Sequence, residues 1–124
     1  MRGLIPVALA LLFLWGCDTL GLDDPVEIRV QNASTLTFEE GVLYSYWDSV
    51  IFQGLDPGQK TPYKEVRRAY RIATAQVVTG LDTARLQVID YVGEKSLDGG
   101  KYTYLLSFFE GNSTSLTLEL IKER

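Results

Sequence analysis

Five basic side chains, Lys60, Lys64, Arg67, Arg68 and Arg71, fall within twelve positions. Tyr63 and Tyr70 interleave with them, and Glu65 is the only acid in the run. Guanidinium and ammonium groups at this density can hold phosphates, those of lipopolysaccharide among them, or an acidic protein. The same charges also suit a solvated edge strand, where they block edge-to-edge pairing. A second group is aromatic: Tyr44, Tyr46 and Trp47, with Phe38 and Phe52 close in sequence. If Tyr44 and Tyr46 share an exposed face, these rings could stack on sugars; the alternative is a core role, with polar tips at the rim. A third group is acidic. Asp82, Asp90, Glu94 and Asp98 lie near expected strand ends, where carboxylates could bind calcium or act as an acid and a base. No D-x-D-x-D-G loop accompanies them.

What is missing excludes more than these groups establish. The 124 residues contain no His and one Cys. An intramolecular disulfide, a Cys/His zinc site, a His general base and a Ser-His-Asp or Cys-His unit are therefore ruled out. There is no phosphate-cradling Gly loop before a helix, no G-x-S-x-G elbow and no S-x-x-K; Thr79–Thr83 reads as a turn. No catalytic residues, cofactor or metal are expected. The net charge is −4, which argues against nucleic acid, whose binding rests on neutralised phosphates.

The first sixteen residues differ from the rest. Arg2 is their only charge, and 12 of the 16 are apolar. The apolar run Leu4–Trp15 is too short to span a bilayer, which takes about 20 residues, and fits a secretory signal. It ends in Leu14-Trp15-Gly16-Cys17. This resembles the lipobox of bacterial lipoproteins, with an aliphatic residue at −3, a small residue at −1 and Cys at +1. Trp15 departs from the pattern, since small or β-branched residues are usual there. The resemblance implies removal of residues 1–16 and lipid attachment to the Cys17 sulfur. It also implies a place in the bacterial envelope, with membrane and face left open. Asp18 resembles an inner-membrane retention signal in enteric bacteria, and elsewhere accompanies surface export.

Without residues 1–16, 108 residues remain, carrying 11 basic and 16 acidic side chains. Such a length can bury roughly two-thirds of its unfolded surface and supports one domain. We read 17–25 as a lipidated Cys with a short tether, and 26–124 as the domain. Asp18, Asp23 and Asp24 would be repelled by anionic headgroups, so the domain should sit beside the bilayer and not within it.

The domain reads as strands nearly throughout, because apolar residues alternate with polar ones. Val26, Ile28 and Val30 mark the first, and Asn32-Ala33-Ser34 is a turn. Phe38–Trp47 is the second, with Gly41 as a possible bulge; Ser49–Gln53 is the third. Leu55–Tyr63 is a loop around Pro57-Gly58. Tyr70–Val78, Arg85–Val92, Tyr102–Phe109 and Leu116–Leu120 complete seven strands, separated by turns at Gly80, Gly99-Gly100 and Gly111-Asn112-Ser113. Tyr102–Phe109 is apolar on both faces and should be central. Lys64–Ala73 is the best helical candidate and weaker than strand.

The expected fold is all-β: a single antiparallel sandwich of about seven strands. Leu97, Gly100, Tyr102, Tyr104 and Leu106 resemble the turn-to-strand motif of immunoglobulin-like and transthyretin-like bacterial modules. Three functions fit. One is a membrane-anchored, non-enzymatic module that binds an envelope protein or glycan, or has a structural role. The second is a carbohydrate-binding lipoprotein using Tyr44, Tyr46 and Trp47. The third is a small envelope enzyme.

Overall fold

The computed structural model describes residues 24–110 and 112–123. The expected signal sequence, Cys17 and the expected tether up to Asp23 lie outside the described residues, as do the expected turn residue Gly111 and Arg124. The described chain is all-β, without a helix. Its strands are β1 Val26–Asn32, β2 Phe38–Ser45, β3 Asp48–Leu55 and β4 Lys64–Val66, then β5 Thr74–Thr79, β6 Asp82–Leu86, β7 Gly100–Phe109 and β8 Asn112–Glu123.

The strands form one sheet in the order β3-β2-β5-β6-β8-β7-β1-β4. Its two halves meet at a narrow junction, where Arg85 of β6 pairs with Ser115 of β8. The sheet folds over there, and its inner faces share a core. Phe38, Leu43, Val50 and Val77 come from one half, and Ile28, Val30, Tyr104 and Leu106 from the other. The two end strands, β3 and β4, approach each other and nearly close a barrel. Lys64 Nζ donates to the Ser49 carbonyl at 2.6 Å, and the Arg67 N–H donates to Asp48 Oδ2 at 2.9 Å.

This differs from a seven-stranded antiparallel sandwich in three respects. One folded, nearly closed sheet stands in place of two packed sheets. Lys64–Val66 adds a short eighth strand on β1. Two neighbouring pairs, β1 with β7 and β6 with β8, are parallel. Alternation reveals a strand and its wet face, but carries nothing about a distant partner's direction. Strand limits also shift. Residues 67–73 are irregular, and three consecutive carbonyls there are taken by groups outside any strand ladder. Ser45 Oγ donates to the Arg68 carbonyl, the Leu97 N–H to that of Ala69, and the Tyr104 hydroxyl to that of Tyr70. Past Leu86 the chain is likewise irregular until Gly100.

Other expectations hold. β7 lies between β8 and β1, and its Tyr102, Thr103, Tyr104 and Leu106 are buried. The Tyr102 hydroxyl donates to the Asp98 carbonyl four residues upstream at 2.8 Å, so the ring closes a corner over the Gly99-Gly100 turn. Gly41 has a different role from a bulge. The Phe52 ring of β3 lies against its Cα, and a Cβ there would come within 2.2 Å of that ring.

Strand directions sort every connection into two groups. From the registers, β1, β3, β5 and β7 run away from one rim and β2, β4, β6 and β8 run towards it. That rim collects Asp24-Pro25, the β2–β3 turn, residues 67–73, residues 87–99 and the end of β8. We call it the tether rim. The opposite rim collects residues 33–37, 56–63 and 80–81 and the β7–β8 turn.

Candidate functional site

The tether rim gathers aromatic and guanidinium groups from three connections. Tyr46 and Trp47 form the tight β2–β3 turn, with Tyr46 at φ 50°. This backbone shape holds both side chains out of the sheet, and they are 45% and 55% exposed. Their rings meet edge to face, 4.4 Å between centroids and 81° between planes. Tyr70, from the segment after β4, and Tyr91, from the segment after β6, stack at 4.5 Å and 19°. Tyr46 lies 5.8 Å from each of them. Burial pushes the Tyr91 phenol upward, and the neighbouring Tyr70 adds to the shift.

Arg67 and Arg68 lie over these rings. The Arg68 guanidinium is 5.3 Å from the Tyr46 centroid and 5.1 Å from that of Trp47, distances at which a cation is attracted to a ring face. The Arg67 guanidinium is 5.5 Å from Trp47 and donates to the Trp47 carbonyl at 3.1 Å. It also pairs with Asp48 at 3.3 Å. The Arg67 main-chain N–H, followed by its guanidinium, holds the Asp48 carboxyl below its ordinary value of 3.8.

The basic run is thus divided among different tasks. Lys64 and Arg67 stitch the β3–β4 seam. Lys60 is distant from the rim, bridged to Gln31 on β1. Arg68 caps the aromatic group, and Arg71 is exposed at a groove shared with Glu94, Lys95 and Tyr102. Among the described residues, neither Arg68 nor Arg71 has a carboxylate within salt-bridge distance.

The aromatic trio is divided too. Tyr44 is exposed on the outer face of β2, opposite Ser49 and Thr74. Tyr46 and Trp47 stand at the turn beyond it, perpendicular to one another, so the three rings do not form one flat surface. Phe38 and Phe52 are core residues, 6.2 Å apart. The acidic quartet does not converge: Asp82 is on the opposite rim, accepting from Ser113, while Asp90, Glu94 and Asp98 lie in the segment between β6 and β7. Among the described residues no three His, Cys, Asp or Glu side chains are grouped to hold a metal.

Tyr70 and Tyr91 complete the rim, and their pairing had no signal in the sequence. They stand 21 positions apart, each in a stretch whose alternation suggests strand. A smaller cluster was equally hidden. The Arg29 guanidinium lies 4.3 Å over the Tyr63 ring, donates to Thr103 Oγ1 at 3.0 Å and reaches Glu123 at 3.7 Å.

No described protein family matches the chain. No curated protein matches it either. Among solved structures, an NMR structure of a protein from Eubacterium rectale is similar in fold. It has a TM-score of 0.55 and 10% sequence identity, over 77% of this chain and 88% of that one.

Proposed function

We propose that the protein is a lipid-anchored envelope module of non-enzymatic function, which contacts an envelope component through the tether rim. The observation that carries this is Leu14-Trp15-Gly16-Cys17, placed at the end of an apolar run of signal length. Two or three acyl chains on Cys17, at about 0.8 kcal/mol per buried methylene, would hold the domain at a membrane for its lifetime. The nine positions from Cys17 to Val26, where β1 starts, give a tether of at most about 30 Å. Arg68, backed by two rings and free of a carboxylate among the described residues, gives the rim a donor for an anionic group.

Cys17→Ser tests the anchor. The wild-type chain is expected in the membrane fraction at its mature mass, and the variant as a soluble form or an uncleaved precursor. A variant that still fractionates as a mature lipidated species contradicts the proposal. Glycan binding is a second reading, favoured by the exposure of Trp47. It predicts a change in Trp47 fluorescence on titration with envelope glycans, and an unchanged spectrum counts against it.

A further inference from the structure

We propose that the tether rim docks at headgroup depth on the anionic bilayer that holds the anchor, which makes that bilayer the component recognised by Arg68, Arg71 and Trp47. This rests on the lipid-anchor proposal above.

The first argument is reach. Seven positions separate Cys17 from Asp24, at most about 25 Å of chain. Asp24 and Pro25 are fixed to the rim itself. The Gly100 N–H donates to the Pro25 carbonyl at 3.0 Å, and the Gly99 backbone packs so tightly on Asp24 that a Cβ would come within 2.2 Å of its carbonyl oxygen. A groove of about 630 Å³ there is lined by Asp24, Pro25 and Arg67, and Arg67 bonds directly to the Trp47 carbonyl. A lipid on Cys17 therefore holds this rim, and not the opposite one, close to the headgroups.

The second argument is chemical. Trp and Tyr favour the boundary between headgroups and acyl chains, where the ring is apolar and its N–H or O–H stays wet. Trp47 and Tyr46 are exposed there. Ile89 and Val92, on either side of Tyr91, are 95% and 88% exposed. Arg68 and Arg71 supply guanidinium groups suited to phosphate.

The third argument is charge placement. The opposite rim and its flanks carry Glu39, Asp56, Asp82 and Glu110 against Lys60. An anionic surface repels that end and turns the tether rim inward. The tether rim also bears Asp24, Asp48, Asp90, Glu94, Asp98 and Glu123, but sets Arg67, Arg68, Arg71, Lys95 and Lys122 against them, so it is the less negative of the two ends. Its acids oppose deeper burial and set the contact at the headgroups, in keeping with a domain that does not enter the hydrocarbon.

Trp47 is the only tryptophan after Cys17, so the mature protein carries its own reporter. The lipidated protein is reconstituted into vesicles of phosphatidylcholine alone, or of phosphatidylcholine with phosphatidylglycerol. With phosphatidylglycerol, Trp47 emission should shift to the blue. Lipids brominated near the headgroup should quench it severalfold more than lipids brominated at the chain end, and added salt should weaken the effect. Arg68→Glu with Arg71→Glu should restore aqueous emission while the protein still floats with the vesicles. Wild-type protein that floats but leaves Trp47 equally open to iodide in both vesicle types overturns the docking proposal and leaves the anchor intact; the rim would then be free for a glycan or protein. An unmodified Cys17 mass in protein that does not float overturns both.

Discussion

The main-chain N–H and the guanidinium of Arg67 both end on the carboxylate of Asp48, 19 residues upstream. This pair joins the two ends of the sheet order, since Asp48 begins β3 and Arg67 follows β4. The same guanidinium fixes the Trp47 carbonyl, so closing the barrel also sets the aromatic turn.

Because its folded-state pKa is lowered, the Asp48 carboxylate stabilises the fold above its ordinary value of 3.8. That contribution is lost as pH falls through the lowered folded value. Asp48→Asn should melt at a lower temperature than wild type at neutral pH. The gap should narrow as the solution is taken below 3.8. Thermal denaturation across an acid series checks this; a gap independent of pH would show that charge on Asp48 is immaterial.

Tyr104 should govern the alkaline limit. Its hydroxyl is buried and donates to the Tyr70 carbonyl, and burial raises its pKa above the ordinary 10.0. Its stabilising effect is complete below 10.0 and declines as pH rises from there towards the raised folded value. Tyr104→Phe should cost about 1–3 kcal/mol at neutral pH, by leaving the Tyr70 carbonyl unpartnered. It should also flatten the alkaline decline in chemical denaturation.

Asn32 organises the opposite rim. It is fully buried. Its Nδ2 donates to the Leu36 and Leu55 carbonyls at 2.7 and 2.8 Å, and its Oδ1 accepts from the Ser34 N–H and Oγ. Asn32→Ala should destabilise by about 3 kcal/mol, because the buried Leu55 carbonyl and the half-buried Ser34 lose their bonds together. A change near zero in urea denaturation would mean that water replaces the amide.

Tyr102→Ala should cost about 3 kcal/mol, since its ring is buried and its hydroxyl closes the corner on Asp98. Tyr102→Phe should cost much less, because it keeps the ring.

Alternation made several of these elements legible. β1 buries Ile28 and Val30 and leaves Glu27, Arg29 and Gln31, which alternate with them, half-buried, and Tyr102–Phe109 is the inner strand that its two apolar faces suggest. The Gly-Gly turn was readable from local chemistry, and the Tyr102 corner from the resemblance to the turn-to-strand motif of immunoglobulin-like and transthyretin-like modules. The parallel pairing of β1 with β7 was not, because register depends on a partner more than seventy positions away. Alternation over Tyr70–Val78 was misleading in its first half. The Tyr70 carbonyl accepts from the Tyr104 hydroxyl, and the Arg68 and Ala69 carbonyls just before it accept from Ser45 and Leu97, instead of from a strand. The candidate rim was half legible: its residue types stood out, but its assembly from three connections follows from strand directions that no local pattern carries.

The account depends most on the chemistry at Cys17, and mass spectrometry of the native protein, purified from its membrane, tests that directly. An N-terminus at Cys17 bearing a thioether-linked diacylglycerol, with residues 1–16 absent, is the predicted result. An intact Met1 with a free thiol at Cys17 would contradict it.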